Sequence, residues 1–552
     1  MSLRAAPATE QPPGRATPDR HPRAAASLLM ALAAAWVIAG PLAGAADGSP
    51  ASSDPNAFTV YHADAAGSGV VASIGAVETA SPAWTSATLD GEIYGEPLVA
   101  SGRVYVATEN DTVYALSTSS GAIEWSRHLG TPAVSHSLPC GDITPVVGIT
   151  GTPVIDQARD EIFVVADESG NGSPSHRLYG LSLGSGAVEV SESVDPPGAD
   201  TAALLQRTGL TLDDGRVVFG LGGNDGDCSA YHGWVVSVGE AGGRPLDFEV
   251  DSAAGDDQGA IWMGGAAPAV SSNGDIWVEA GNGSVYSSSQ AYDDSDSVLE
   301  LSPSLKLLQY FAPSNWPSNN ADDLDMSMEP VLLADGEVVA AGKSRIAYLL
   351  NSERLGGIGG QQAELGAVCN ADIDGGGAVV GTTVYLPCLS GVVAVEVDTS
   401  PPGLHLRWSS GTGGGPPLVA GGLVWTIGQN GELYGLDPTT GTVRRQATIG
   451  VPANHFPTAS AGDGLLLAPS ADAVVAFRAS STSTSTSTTR PESTGTGTGT
   501  TSPTGRRKTP TRHAASALPT VAVVAIVAAG LAVGGGSAWL LARRRREGRP
   551  GG

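Results

Sequence analysis

The chain has 552 residues, with 56 Asp and Glu against 29 Lys and Arg, 75 Gly, 37 Pro, 4 Cys and only 7 Phe. A charged fraction of 15% with so much Gly excludes long helical bundles and coiled coils, and 41% apolar residues without a G-x-y period exclude wholesale disorder and collagen. The remaining class is an all-β chain rich in turns; its residues 47–480 hold 52 acids against 15 bases, a balance of −37 that repels phosphate backbones and excludes general nucleic-acid binding.

Residues 1–45 read as a secretory signal peptide: an apolar run from Ala24 to Gly40 follows Arg15, Arg20 and Arg23 and precedes the small-residue site Ala43-Gly44-Ala45. Residues 46–480 then repeat at roughly the 30–50-residue period of propellers. The plainest unit, Glu96 to Trp125, alternates short apolar strands with Gly and polar turns and ends on Trp. Pro416 to Val443 is nearly the same text, and looser copies start near Gly151, Gly209, Ala267, Pro330 and Ala378. His455 to Phe477 supplies three strands of an eighth unit, with FTVYH near Phe58 and PAWTSATL near Trp84 as N-terminal material to complete it. The expected fold is an eight-bladed β-propeller of four-stranded antiparallel blades, radial packing being the way such sheets bury their faces and protect their edges.

Residues 481–517 form a Ser/Thr/Pro-rich tract that cannot bury enough apolar area to offset ordering entropy, and they read as a solvated stalk. Residues 518–542 are uncharged and apolar, long enough at 1.5 Å per residue to cross a core of about 30 Å as one transmembrane helix. The basic tail 543–552, opening with Arg543 to Arg546, is expected to stay cytoplasmic, which places the propeller outside the cell membrane on a single-pass anchor.

The unit V-Y-A-L-x-x-x-x-G-x-x-x-W at Val113 to Trp125 resembles the tryptophan-docking repeat of pyrroloquinoline-quinone (PQQ) propellers, in which Ala and Gly pack under a Trp from the neighbouring blade. The resemblance covers most of residues 57–480 and is to an actinobacterial-type, membrane-anchored member. Within it, Trp262 in GAIWMGGAAPAV resembles the residue that stacks on the quinone, Asn282 in EAGNGSVYSS a calcium ligand, and Lys343 in AGKSRIAYLLN a contact of the quinone oxygens. Asp323, with Asp325 beside it, stands where the family has its catalytic base, and Asp227 where it has a Glu calcium ligand.

The sequence also departs from the family. Cys140 is followed by Gly141, so the adjacent Cys-Cys bridge that roofs the cofactor cannot form, and no C-x-x-C-H supplies a haem. Four cysteines in an exported chain allow three pairings, of which Cys140–Cys228, both in axis-facing segments, and Cys369–Cys388, 19 apart on neighbouring strands, are expected. Asn370 to Gly375 has the start of a calcium loop but Gly381 where the bidentate Glu belongs, and reads as a polar turn. The acid pairs Asp256-Asp257, Asp293-Asp294 and Asp322-Asp323 read as a solvated rim, and His232 with Trp234 as partner-binding candidates near a propeller mouth. The expected role is a non-catalytic binding or scaffolding module for a protein, peptide or glycan, without cofactor; the opposing expectation is a PQQ- and calcium-dependent dehydrogenase of alcohols or sugars.

Overall fold

The computed structural model describes residues 54–169, 173–253 and 255–481. The predicted signal segment, stalk, membrane span and basic tail lie outside the described residues, among which no helix is long and apolar enough to cross a membrane. Eight antiparallel sheets follow one another along the chain: blade 1 (residues 98–128), blade 2 (154–193), blade 3 (204–249), blade 4 (269–312), blade 5 (331–365), blade 6 (378–409), blade 7 (418–448) and blade 8 (460–481). The protein is an eight-bladed β-propeller.

Blade 1 shows why the repeat folds this way. Leu98–Ala100, Arg103–Thr108 and Thr112–Ser117 are almost wholly buried, since both faces of each sheet pack on neighbouring blades, whereas the outermost Ile123–His128 is largely exposed. Apolar residues therefore run nearly continuously through the first three strands, past Arg103 at the start of the second, and the fourth carries Glu, Arg and His. A register shift at Ala115/Leu116 recurs at Gly180/Leu181, Glu300/Leu301, Ala394/Val395 and Gly435/Leu436, so in five blades the outermost strand carries the same bulge, one extra residue opposite the third strand.

The bulge leads into a glycine turn on which a neighbour's tryptophan rests. Trp84, Trp125 and Trp408 donate their indole N–H to the carbonyls of Thr118, Leu183 and Pro438 at 2.9, 3.0 and 3.0 Å. Their rings cover Gly121, Gly186 and Gly441, where an added Cβ would lie 2.5, 2.6 and 2.4 Å from ring carbons and where φ is +70°, +66° and +67°. Only glycine satisfies both demands.

Blade 8 is closed from the other end of the chain. Its inner strands Ser460–Gly462, Leu465–Ser470 and Ala473–Ser481 are C-terminal, and the last pairs antiparallel with Ile74–Val77 and Trp84–Thr85. FTVYH does not join that blade. Phe58 bridges Val99 of blade 1, and the carbonyls of Thr59, Ala65, Ser68 and Gly69 accept from Ile155, Val270, Val379 and Val419 of blades 2, 4, 6 and 7. The segment crosses the axis and pairs with innermost strands, whose inward edges would otherwise lack partners. His62 is fully buried there, its ring bonded to the Gly377 carbonyl at 3.1 Å, and burial pulls its pKa down to about 3, so it stays neutral.

Candidate functional site

A cavity of about 330 Å³ opens at the axis, lined by segments from blades 3 to 6 and by the connections between blades 1 and 2 and between blades 7 and 8. Four residues singled out from the sequence, Asp227, Trp262, Asn282 and Lys343, meet in it. The Cys140–Cys228 disulfide ties the loop carrying Asp142 and Ile143 to the loop carrying Asn224 to Asp227, so it staples two walls of the cavity together. The second disulfide, Cys369–Cys388, joins the turn bearing Asp372 and Asp374 to blade 6.

Lys343 holds the centre of the polar wall. Its ammonium bonds Asp325 at 2.8 Å and Asp323 at 2.9 Å and stands over the Trp262 ring, 5.2 Å from the centroid. The two acids are not equivalent. Asp323 closes the short helix Trp316–Asp322 in a left-handed conformation (φ +57°) and its side chain is 67% exposed, whereas Asp325 begins the inward extended segment and is 3% exposed. The acid in the cavity is thus Asp325, and Asp323 grips Lys343 from the solvent side. Burial raises the Asp325 pKa to about 6 against the opposing pull of Lys343.

The other acids are also engaged. Asp227 accepts from the Tyr231 hydroxyl at 2.5 Å and from the Asn282 side-chain amide at 3.2 Å, and the Asn282 backbone N–H donates to Asp325 at 3.0 Å. Asp374, from the Asn370 to Gly375 turn, is 3% exposed with one oxygen lacking a hydrogen-bond partner, and burial lifts its pKa to about 7. Trp262 meets Phe456 at 5.9 Å between ring centroids, tilted by 46°.

His232 and Trp234 do not reach the cavity. Trp234 is buried in the core of blade 3, because the strand Trp234–Gly239 turns that side of its alternation inward, and His232 faces Glu249 at 3.8 Å. Asp293 is likewise buried, bonded to Ser295 within its own turn at 2.7 Å, so that pair is not a solvated rim. Sequence reading passed over Arg207, Asp225 and Phe456, all of which line the cavity. Arg207 had a signal: aligning QRTGLTLD with GITGTPVI of blade 2 sets an arginine where that copy has Ile149.

Comparison with known proteins agrees with this architecture. Residues 41–277 match the PQQ-type repeat family described as outer membrane protein assembly factor BamB. The quinohemoprotein alcohol dehydrogenase of Comamonas testosteroni superposes with a TM-score of 0.55 at 14% identity over 77% of this chain and 80% of that one. This is a PQQ-like β-propeller. A europium-containing methanol dehydrogenase is similar at a TM-score of 0.51 and 13% identity, over 77% of this chain and 98% of that one. At these identities the likeness is one of fold, and among curated proteins none matches the chain in sequence.

The fold raises the question of whether this PQQ-like propeller presents a quinone and calcium site. A calcium ion takes six to eight oxygens. Here both Asp227 oxygens and both Asp325 oxygens already accept from protein donors, and among the described residues no three His, Cys, Asp or Glu side chains are grouped to hold a metal. A stacked quinone needs a clear indole face, which the Lys343 ammonium takes at Trp262. In this arrangement the acids and the indole face that a calcium-bound quinone would use are engaged by protein groups.

Proposed function

We propose that the propeller is a non-catalytic, extracytoplasmic binding module, held at the cell membrane by residues 518–542, that offers the axial cavity to a protein or peptide partner. The observation that carries this reading is the Lys343–Asp325–Asn282–Asp227 network, in which the groups a dehydrogenase would spend on metal and quinone are satisfied by one another. A rigid, internally hydrogen-bonded wall of this kind suits recognition, since its side chains are already oriented before a ligand arrives. The match of residues 41–277 to a family described as an assembly factor supports a protein partner in the same direction.

Convergence of Trp262, Asn282, Asp227 and Lys343 on one cavity favours a second reading, a PQQ-dependent dehydrogenase with Asp325 in the place assigned to Asp323. Titrating PQQ into the full-length chain with and without calcium, while following cofactor absorbance and melting temperature, separates the two. The binding-module reading expects no saturable binding up to about 100 µM, far weaker than a resident cofactor. Calcium-dependent binding that disappears in Trp262→Ala overturns it.

A further inference from the structure

Arg207 is a buried cation without a direct ion pair among the described residues. It is 9% exposed and lines the axial cavity, yet among the described residues its guanidinium makes no hydrogen bond and no ion pair. Its nearest fixed company is aromatic: Tyr94 at 5.8 Å and Phe456 at 5.7 Å from the guanidinium carbon to the ring centroids. Such faces orient a guanidinium but leave its five N–H donors free to meet whatever fills the cavity. Glu109, a nearby buried acid, attracts it only at a distance: one of its oxygens accepts from Gly148 N–H at 2.8 Å and from the Thr150 hydroxyl at 3.1 Å, and the other makes no hydrogen bond.

The seat is built for this side chain. Gly265 has φ +85°, and a Cβ there would lie 2.3 Å from an Arg207 terminal nitrogen, so a larger residue would evict the guanidinium. Burial pulls the Arg207 pKa down, partly offset by Tyr94, Glu109 and Asp142; an anion in the cavity would supply the compensation that the protein leaves out. Glycine at 265, two flanking rings and an opening toward the cavity together prepare a planar, forked donor for a planar acceptor.

The rest of the lining selects among anions. Asp142, Asp225, Asp227, Asp372 and Asp374 share the cavity, and Lys343 is spent on Asp323 and Asp325. A dianion such as phosphate meets this wall with twice the repulsion of a single carboxylate. A carboxylate matches the guanidinium fork in a bidentate pair. We propose that Arg207 is the receptor for one α-carboxylate, that of a peptide C-terminus or a free amino acid, bound in the axial cavity. The proposal deepens the binding-module reading and rests on it, naming the chemical end by which a partner enters. A volume of about 330 Å³ lies at the small end of ligand pockets, enough for a chain end and not for a folded element.

Calorimetric titration of the full-length chain with N-acetyl-trialanine, its C-terminal amide, free alanine and inorganic phosphate tests it. The acid is expected to bind at least about tenfold tighter than the amide, the scale of one charge-assisted pair, with phosphate weakest. Arg207→Met should erase the preference for acid over amide, and Arg207→Lys should restore only part of it, because an ammonium lacks the fork. Binding of alanine as tight as the tripeptide identifies a free amino acid as the source, and weaker binding identifies a chain end. Equal affinity for acid and amide in the unaltered protein overturns the proposal even if Arg207→Met does not fold, as does undetectable acid binding at about 10 mM or phosphate binding tighter than the acid. Such a failure while PQQ also fails to bind removes the carboxylate receptor and leaves the binding-module reading standing.

Discussion

Two arcs of the ring differ. At the junctions of blade 8 with 1, 1 with 2 and 6 with 7, a tryptophan rests on a positive-φ glycine and donates to a turn carbonyl. Like those of blades 2 and 7, the outer strands of blades 3, 4 and 5, Leu246–Glu249, Leu307–Ala312 and Ala363–Leu365, carry no tryptophan. The same blades supply Arg207, Asp227, Trp262, Asn282, Asp325 and Lys343 to the cavity. Where the repeat is most regular it specifies packing, and where it departs from itself it has been given over to polar groups that packing does not require.

The largest expected effect tests how the undocked arc is held. Cys140–Cys228 closes a separation of 88 residues and ties blade 3 to the loop before blade 2. On chain-entropy grounds, Cys140→Ser with Cys228→Ser should cost about 4–5 kcal/mol, measured by denaturant unfolding of the oxidised protein. A loss no greater than that of a surface substitution would mean that blade packing alone holds the cavity walls. In the docked arc, Trp408→Ala should cost about 3–5 kcal/mol while leaving carboxylate binding unchanged, because the ring is 9% exposed, lies tilted against Tyr385 at 5.7 Å and does not line the cavity. Altered binding in Trp408→Ala would break the separation of the two arcs.

Lys343→Met sharpens the comparison from the cavity side. It leaves Asp325 buried without its cation, at an expected cost of about 3 kcal/mol, and adding Asp325→Asn should recover most of that loss. Additive losses in the double variant would show that the ion pair is not the coupling unit.

The sequence made the docked arc legible and the cavity only in part, for reasons that can be named. Turn glycines and the terminal tryptophan act within one or two repeats, so the blade boundaries at Gly151, Gly209, Ala267, Pro330 and Ala378 lie close to the strands that follow them. FTVYH alternates as a strand should, but its alternation cannot tell which sheet edge it will meet; its carbonyls go to blades 1 and 2, and those of Ala65, Ser68 and Gly69 just after it to blades 4, 6 and 7. Asp323 and Asp325 look alike in DDLDMS, and what separates them is a seven-residue helix with Asp323 as its left-handed cap, a feature without long-range periodicity. Arg207 was visible only as one substituted position in an otherwise matching repeat start, and its lack of a partner is a three-dimensional fact.

The smallest expected effect is a dependence on pH located in the docked arc. Asp111 and Glu109 of blade 1 and Asp167 of blade 2 are buried, and burial, reinforced by neighbouring carboxylates, raises them to about 9, about 7 and about 7. In each case the folded state keeps a proton that the unfolded chain releases near pH 4. The unfolded state therefore binds fewer protons over that interval, and stability falls as pH rises from about 4 to about 7 for Glu109 and Asp167 and on to about 9 for Asp111. The propeller should melt higher at pH 5 than at pH 8. Asp111 also has φ +53°, which asparagine accepts, and neither of its oxygens has a hydrogen-bond partner. Asp111→Asn should consequently raise the melting temperature at pH 8 more than at pH 5, by a few degrees, since about 1 kcal/mol shifts a large domain by only about 2–4 °C. Equal shifts at the two pH values would mean that Asp111 is not the group that retains the proton, and the slope would then belong to Glu109 and Asp167.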